Sequence, residues 1–213
     1  PHSMQTHNTS DTLRFGAPLP QAAGAVILIH GRGSSAEDIA GLAKALKNES
    51  LAFLAPNAAG GSWYPQRFLV PLAQNEPWLS NALDVVGQLV DDVHAAGIPH
   101  ERIGIAGFSQ GACLTLEYAS RNPRRYGFVA GLSGALVGPL DTSRKDADLR
   151  QTPTLVACAE ADGHIPLEFV ERSAELLTRF NAAVTKQIFR GVAHTVFPDE
   201  VAWLRQQVSG WKT

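Results

Sequence analysis

The chain has 213 residues, a formal net charge of −2 and 45% hydrophobic residues. That length suits one domain with a substantial core, and with no long basic run a nucleic-acid surface is not expected. Apolar stretches fall far short of the roughly 20 residues that a membrane span needs, and no secretory n-region and h-region pair opens the chain, so stable membrane insertion is not expected and the cytoplasm is the expected address. Pro1-His2-Ser3 before Met4 reads as an expression scar, which leaves 4–213 as the expected single domain.

In chain order, Ala25-Val26-Ile27-Leu28-Ile29 is an apolar run of the kind a parallel sheet buries on both faces. It leads into His30-Gly31-Arg32-Gly33-Ser34-Ser35, a glycine-rich loop without the Walker lysine or the three-glycine dinucleotide spacing, which disfavours phosphate binding. Helix 36–47 and strand 51–54 follow. The stretch 55–77 is too long for a simple connection and is dense in apolar groups, among them Trp63, Tyr64, Phe68 and Leu72, so it either walls a pocket or packs down as ordinary core. Helix 78–96 places Leu79, Leu83, Val86, Val90 and Val93 on one buried stripe. Strand 102–106, helix 110–121 and strand 127–132 come next, then a loop through Leu136 that is a second candidate pocket wall. Strand 153–158, helix 167–180, strand 184–189 and helix 198–208 complete the chain. This alternation predicts an α/β architecture, a mostly parallel doubly wound sheet with helices on both faces and no large cap domain.

Gly107-Phe108-Ser109-Gln110-Gly111 stands at the junction of strand 102–106 and helix 110–121. A G-x-S-x-G pentapeptide alone is a weak signal, but strand, sharp turn and helix in that order make it a nucleophile elbow, which raises its serine at the sheet's carboxyl edge. Catalysis by Ser109 needs a base, an acid and two oxyanion donors, in the chain order serine, acid, histidine. The base is expected at His194, in the loop after strand 184–189, because imidazole titrates near neutrality. His2 and His7 lie in the terminal segment and His94 and His100 flank a helix end, where solvated or capping roles are expected. The acid is expected at Asp162, beyond the apolar strand 153–158, with Glu160 as the alternative. The amide of Gln110, first in its helix, and that of Arg32 are the expected oxyanion donors.

Together, His30-Gly31-Arg32-Gly33, Gly107-Phe108-Ser109-Gln110-Gly111, Asp162-Gly163-His164-Ile165-Pro166 and Gly191-Val192-Ala193-His194 resemble the α/β-hydrolase carboxylesterases and lysophospholipases that include the acyl-protein thioesterases. The resemblance covers most of the chain. It implies Ser109 as nucleophile, Asp162 and His194 as its partners, and the Arg32 and Gln110 amides as oxyanion donors. Family members acting on lipidated proteins usually carry an uncharged residue in place of Arg32, and many relatives have an apolar residue in place of His164. The expected function is therefore a serine carboxylesterase for short- to medium-chain acyl or aryl esters, with thioesters and lysophospholipids as further candidates. An acyltransferase or lactone hydrolase with the same triad, and a ligand-binding module without catalysis, are the alternatives.

The expected substrate wall comprises Trp63, Tyr64, Phe68, Leu72, Leu136 and Ile165, and the expected partner is a small-molecule ester. A homodimer is left open. Cys113 and Cys158 fall where small buried hydrophobes are ordinary, and no C-x-x-C, H-E-x-x-H or EF-loop spacing appears, so neither metal nor cofactor is expected.

Overall fold

A computed structural model describes residues 6–213, so the proposed scar at Pro1-His2-Ser3 and the start at Met4 lie outside the described residues. Seven strands form one sheet in the order β1-β3-β2-β4-β5-β6-β7. They are β1 (Thr12–Gly16), β2 (Gly24–Ile29), β3 (Leu51–Pro56), β4 (Ile103–Phe108), β5 (Phe128–Leu132), β6 (Pro153–Ala159) and β7 (Ala183–Phe189). All neighbouring pairs are parallel except β1 with β3. Among the described residues, five α-helices accompany them: α1 (Ala36–Ala45), α2 (Trp78–Ala95), α3 (Gln110–Arg121), α4 (Leu167–Arg179) and, after the last strand, α5 (Pro198–Val208).

Strand residues alternate between two cores because successive side chains point to opposite faces. Val26 and Leu28 of β2 join Ile39 and Ala43 of α1 and Trp203, Leu204 and Val208 of α5. Ala25, Ile27 and Ile29 join α2, α3 and α4 on the other face. The predicted α2 stripe is buried at all five positions. Helix starts carry local signals: the Ser35 hydroxyl accepts the Asp38 amide at 3.2 Å to open α1, and Glu200 accepts the Phe197 amide at 2.7 Å to open α5 behind Pro198. No helix of the described residues is long and apolar enough to cross a membrane.

Two features depart from the sequence expectation. Strand β1 was not anticipated: it is a five-residue edge strand whose order comes from pairing Thr12–Gly16 with Ala52–Pro56, a partner about forty residues away. Its alternation of Leu13 and Phe15 was the available signal; Phe15 stacks on Phe53 with ring centroids 5.2 Å apart. His7 is the second, buried at 6% exposure rather than solvated. Its Nδ1 accepts the Ala59 amide at 2.9 Å and its Nε2 donates to the Trp63 carbonyl at 2.7 Å, which pins the segment just before β1 onto the 57–77 connection.

Candidate active site

The carboxyl ends of β4, β6 and β7 bring three polar side chains into one line. Ser109 follows β4 with φ 56° and ψ −116°, a left-handed conformation that costs an L-residue energy and is held by its surroundings. Glycine on either side makes it possible. A β-carbon on Gly107 would stand 2.1 Å from the Gly111 carbonyl oxygen, and one on Gly111 would stand 2.1 Å from that of Ile29. Although Ser109 occupies the N-cap of α3, its hydroxyl makes no cap hydrogen bond and instead lies 2.7 Å from His194 Nε2.

His194 sits in the loop after β7, its Nδ1 2.6 Å from Asp162 Oδ2. The other carboxylate oxygen of Asp162 accepts the amides of His164 at 2.7 Å and Ile165 at 3.1 Å. Burial pushes the Asp162 carboxyl up, but the hydrogen bonds from His194 and those two amides outweigh it and hold the group below the ordinary carboxylate range. An anionic Asp162 fixes the proton on Nδ1 and leaves Nε2 free to accept from Ser109. Beneath it, the Cys158 thiol lies 3.6 Å from Asp162 Oδ2, and burial pushes that thiol well above its ordinary range. Glu160, the alternative acid, points elsewhere: its carboxylate accepts the Gly191 amide at 3.3 Å and steadies the histidine loop. Ser133 holds the far side of that loop, donating to the Thr195 carbonyl at 3.1 Å.

The glycine-rich loop after β2 lies directly against the elbow, since a β-carbon on Gly31 would meet the Phe108 carbonyl oxygen at 3.2 Å and the Ser109 β-carbon at 3.3 Å. Gly31 and Arg32 of this loop line the same cavity as Ser109. The Arg32 guanidinium donates to Ser62 Oγ at 2.8 Å and to the carbonyls of Tyr64, Pro65 and Gln66 at 3.0, 3.2 and 2.7 Å. Gln110 grips the same segment, accepting the Trp63 amide at 2.8 Å and donating to the Tyr64 carbonyl at 2.9 Å. The His30 ring, buried, accepts the Ala58 amide at 3.0 Å and donates to the Gly31 carbonyl at 2.6 Å.

Ser109 and His194 open onto a cavity of about 410 Å³. Of the six expected wall residues, Tyr64, Phe68 and Ile165 line it, whereas Trp63, Leu72 and Leu136 do not. Trp63 is fully buried between the His7 and His30 rings, each 5.1 Å away, with its indole N–H on the His30 carbonyl. Leu72 sits on a short turn packed against the core, and Leu136 is buried with its amide on Ser173 of α4. Sequence reasoning missed Arg67, Asp38 and Phe108 as lining residues. Phe108 was readable from its place in the pentapeptide, and its ring lies 5.0 Å from that of His194. The other two depend on the paths of loop and helix. His164 also reaches the cavity, its ring 4.5 Å from His194. Cys113 lines the floor with a thiol that burial pushes up to about 12, which keeps it protonated at neutral pH. Among the described residues no group of three or more His, Cys, Asp or Glu side chains is placed to hold a metal.

This geometry has parallels among known proteins. A crystallised phospholipase/carboxylesterase from Dyadobacter fermentans superposes with a TM-score of 0.91 at 41% identity, over 97% of this chain and 99% of that one. Acyl-protein thioesterase 1 of Saccharomyces cerevisiae is 26% identical over 89% of this chain and 93% of its own length. The acyl-protein thioesterase 1 of Gibberella zeae is 33% identical over 124 residues, so the match spans about half of that relative, 51% of its length. The sheet is that of an α/β hydrolase, and with residues 16–212 matching the model of the phospholipase/carboxylesterase family, the chain belongs to that family.

Proposed function

We propose that the protein is a serine carboxylesterase that hydrolyses small acyl or aryl esters through a covalent Ser109 acyl-enzyme. One observation carries this: the unbroken hydrogen-bonded line from Asp162 through His194 to a strained Ser109 at the floor of an open cavity. In the first step Ser109 Oγ attacks the ester carbonyl carbon while His194 Nε2 takes the hydroxyl proton. The carbon–oxygen bond to the leaving group then breaks, and His194 returns the proton to the departing alcohol. Water repeats the sequence on the acyl-enzyme, releasing the acid and restoring the Ser109 hydroxyl. Asp162 holds the Nδ1 tautomer and stabilises the imidazolium.

Developing negative charge on the carbonyl oxygen falls to the amides of Arg32 and Gln110. The Gln110 amide opens α3 and, like every first-turn amide, has no intrahelical acceptor. The Arg32 amide is supported by the contact of Gly31 with the elbow. A cavity of about 410 Å³ lies in the lower part of the range for small-molecule sites, roughly 300–1,000 Å³. With Tyr64, Phe68 and Ile165 as wall, it favours short- to medium-chain substrates. The proposed address is the cytoplasm and the proposed unit a single domain over 4–213.

Intact-mass labelling with a fluorophosphonate, beside a chain-length series of nitrophenyl esters, tests this. One adduct on the wild type, none on Ser109→Ala and turnover peaking at short chains are expected. Folded wild type that takes no adduct would instead make the protein a binding module. The thioesterase names of the relatives are tested in the same experiment by matched thioesters, which share nucleophile and oxyanion donors but differ in leaving group.

A further inference from the structure

We propose that Arg67 selects esters bearing an anionic group, a carboxylate or a phosphate, within a few bonds of the scissile carbonyl; this rests on the serine-esterase function proposed above. Three charged residues line the cavity: Arg32, Arg67 and Asp38. The Arg32 guanidinium is occupied by four hydrogen bonds to the 62–66 segment. Asp38 is engaged too, accepting the Ser34 hydroxyl at 2.5 Å. Arg67 is different. Of its five N–H donors, the described residues take one, a bond from Nη2 to the His164 carbonyl at 3.2 Å. Among the described residues no carboxylate lies within ion-pair distance of it.

Its position is built rather than incidental. Fully buried Asn75 accepts the Gln66 amide at 2.7 Å and donates to the Arg67 carbonyl at 3.2 Å, so the backbone that carries this side chain is clamped. The bond to His164 then ties the guanidinium to the loop that also supplies Asp162, and the His164 ring lies beside that of His194. A charged fork therefore borders the cavity that holds the reacting hydroxyl. Its planar geometry suits the two oxygens of a carboxylate or phosphate.

The test compares kcat/KM for two matched pairs of esters. Monomethyl glutarate against methyl pentanoate places the charge on the acyl side, and para-acetoxybenzoate against its methyl ester places it on the leaving group. Arg67→Gln is expected to lower the anionic-to-neutral ratio about tenfold, equivalent to about 1.4 kcal/mol, for the pair whose charge reaches Arg67. Arg67→Lys is expected to restore part of it, and high salt to compress the wild-type ratio. Which pair responds identifies the side of the ester that carries the charge. Equal ratios in wild type and Arg67→Gln for both pairs, with the neutral esters still hydrolysed, would overturn the proposal and leave the esterase standing. Wild type that hydrolyses none of the four esters and takes no fluorophosphonate on Ser109 would overturn both.

Discussion

The elbow at 107–111 and the connection at 57–77 meet at the same cavity, yet they are held by opposite means. The elbow is a backbone device: its conformation follows from a left-handed Ser109 and from glycines whose absent β-carbons let β2, β4 and α3 approach. The connection is a side-chain device. Arg32, Gln110, His7, His30 and Asn75 supply the hydrogen bonds that shape it, four of them from 28 to 52 residues away. A backbone device is written in consecutive residues. A side-chain device exists only after the chain has folded.

Substitutions at the elbow and its relay should give the largest effects. Ser109→Ala is expected to lower kcat on the order of a millionfold while the melting temperature stays close to wild type, because the hydroxyl caps no helix amide and bonds only to the part-buried His194. Asp162→Asn should cost about ten-thousandfold in kcat by favouring the wrong His194 tautomer. Calorimetry on Gly111→Ala should show a loss of about 3 kcal/mol or more, since a β-carbon 2.1 Å from the Ile29 carbonyl oxygen forces the backbone to shift.

Loop substitutions should act more gently and on different parameters. Arg32→Ala keeps its amide but frees the 62–66 segment, so KM should rise about tenfold and stability fall by roughly 1–3 kcal/mol, the scale for lost hydrogen bonds to a charged group. An unchanged KM would mean that the loop holds its shape without the guanidinium.

The smallest effect expected is one of pH. Burial is the leading cause that depresses both His7 and His30 below the ordinary histidine value of 6.5. Each ring accepts a backbone amide, His30 from Ala58 and His7 from Ala59, which a protonated ring cannot do. The unfolded chain thus binds more protons than the folded one below about pH 6.5, so this stabilisation is present above that pH and is lost as pH falls. Glu200 works in the other direction. Burial raises its carboxyl to about 7 from 4.5, so its contribution is present in acid and lost as pH rises through 7. Hydrogen-exchange protection of residues 58–66 is therefore expected to fall between pH 7 and 5 while that of 107–113 holds; parallel loss in both segments would erase the distinction between the two regions.

The alternation of buried apolar runs and amphipathic helices determined the sheet, its helical faces and most element boundaries, because periodicity and burial are local properties of sequence. The placement of Ser109, Asp162 and His194 at strand ends was legible for the same reason: each lies within a few residues of a recognisable strand. Only the tertiary structure decided that Trp63 is a keystone between two histidines instead of a pocket wall, that β1 is a strand, that the Arg32 charge turns onto a loop, and that Arg67 faces the cavity. Those outcomes are set by hydrogen bonds and packing between segments remote in sequence, which become neighbours only when the sheet assembles.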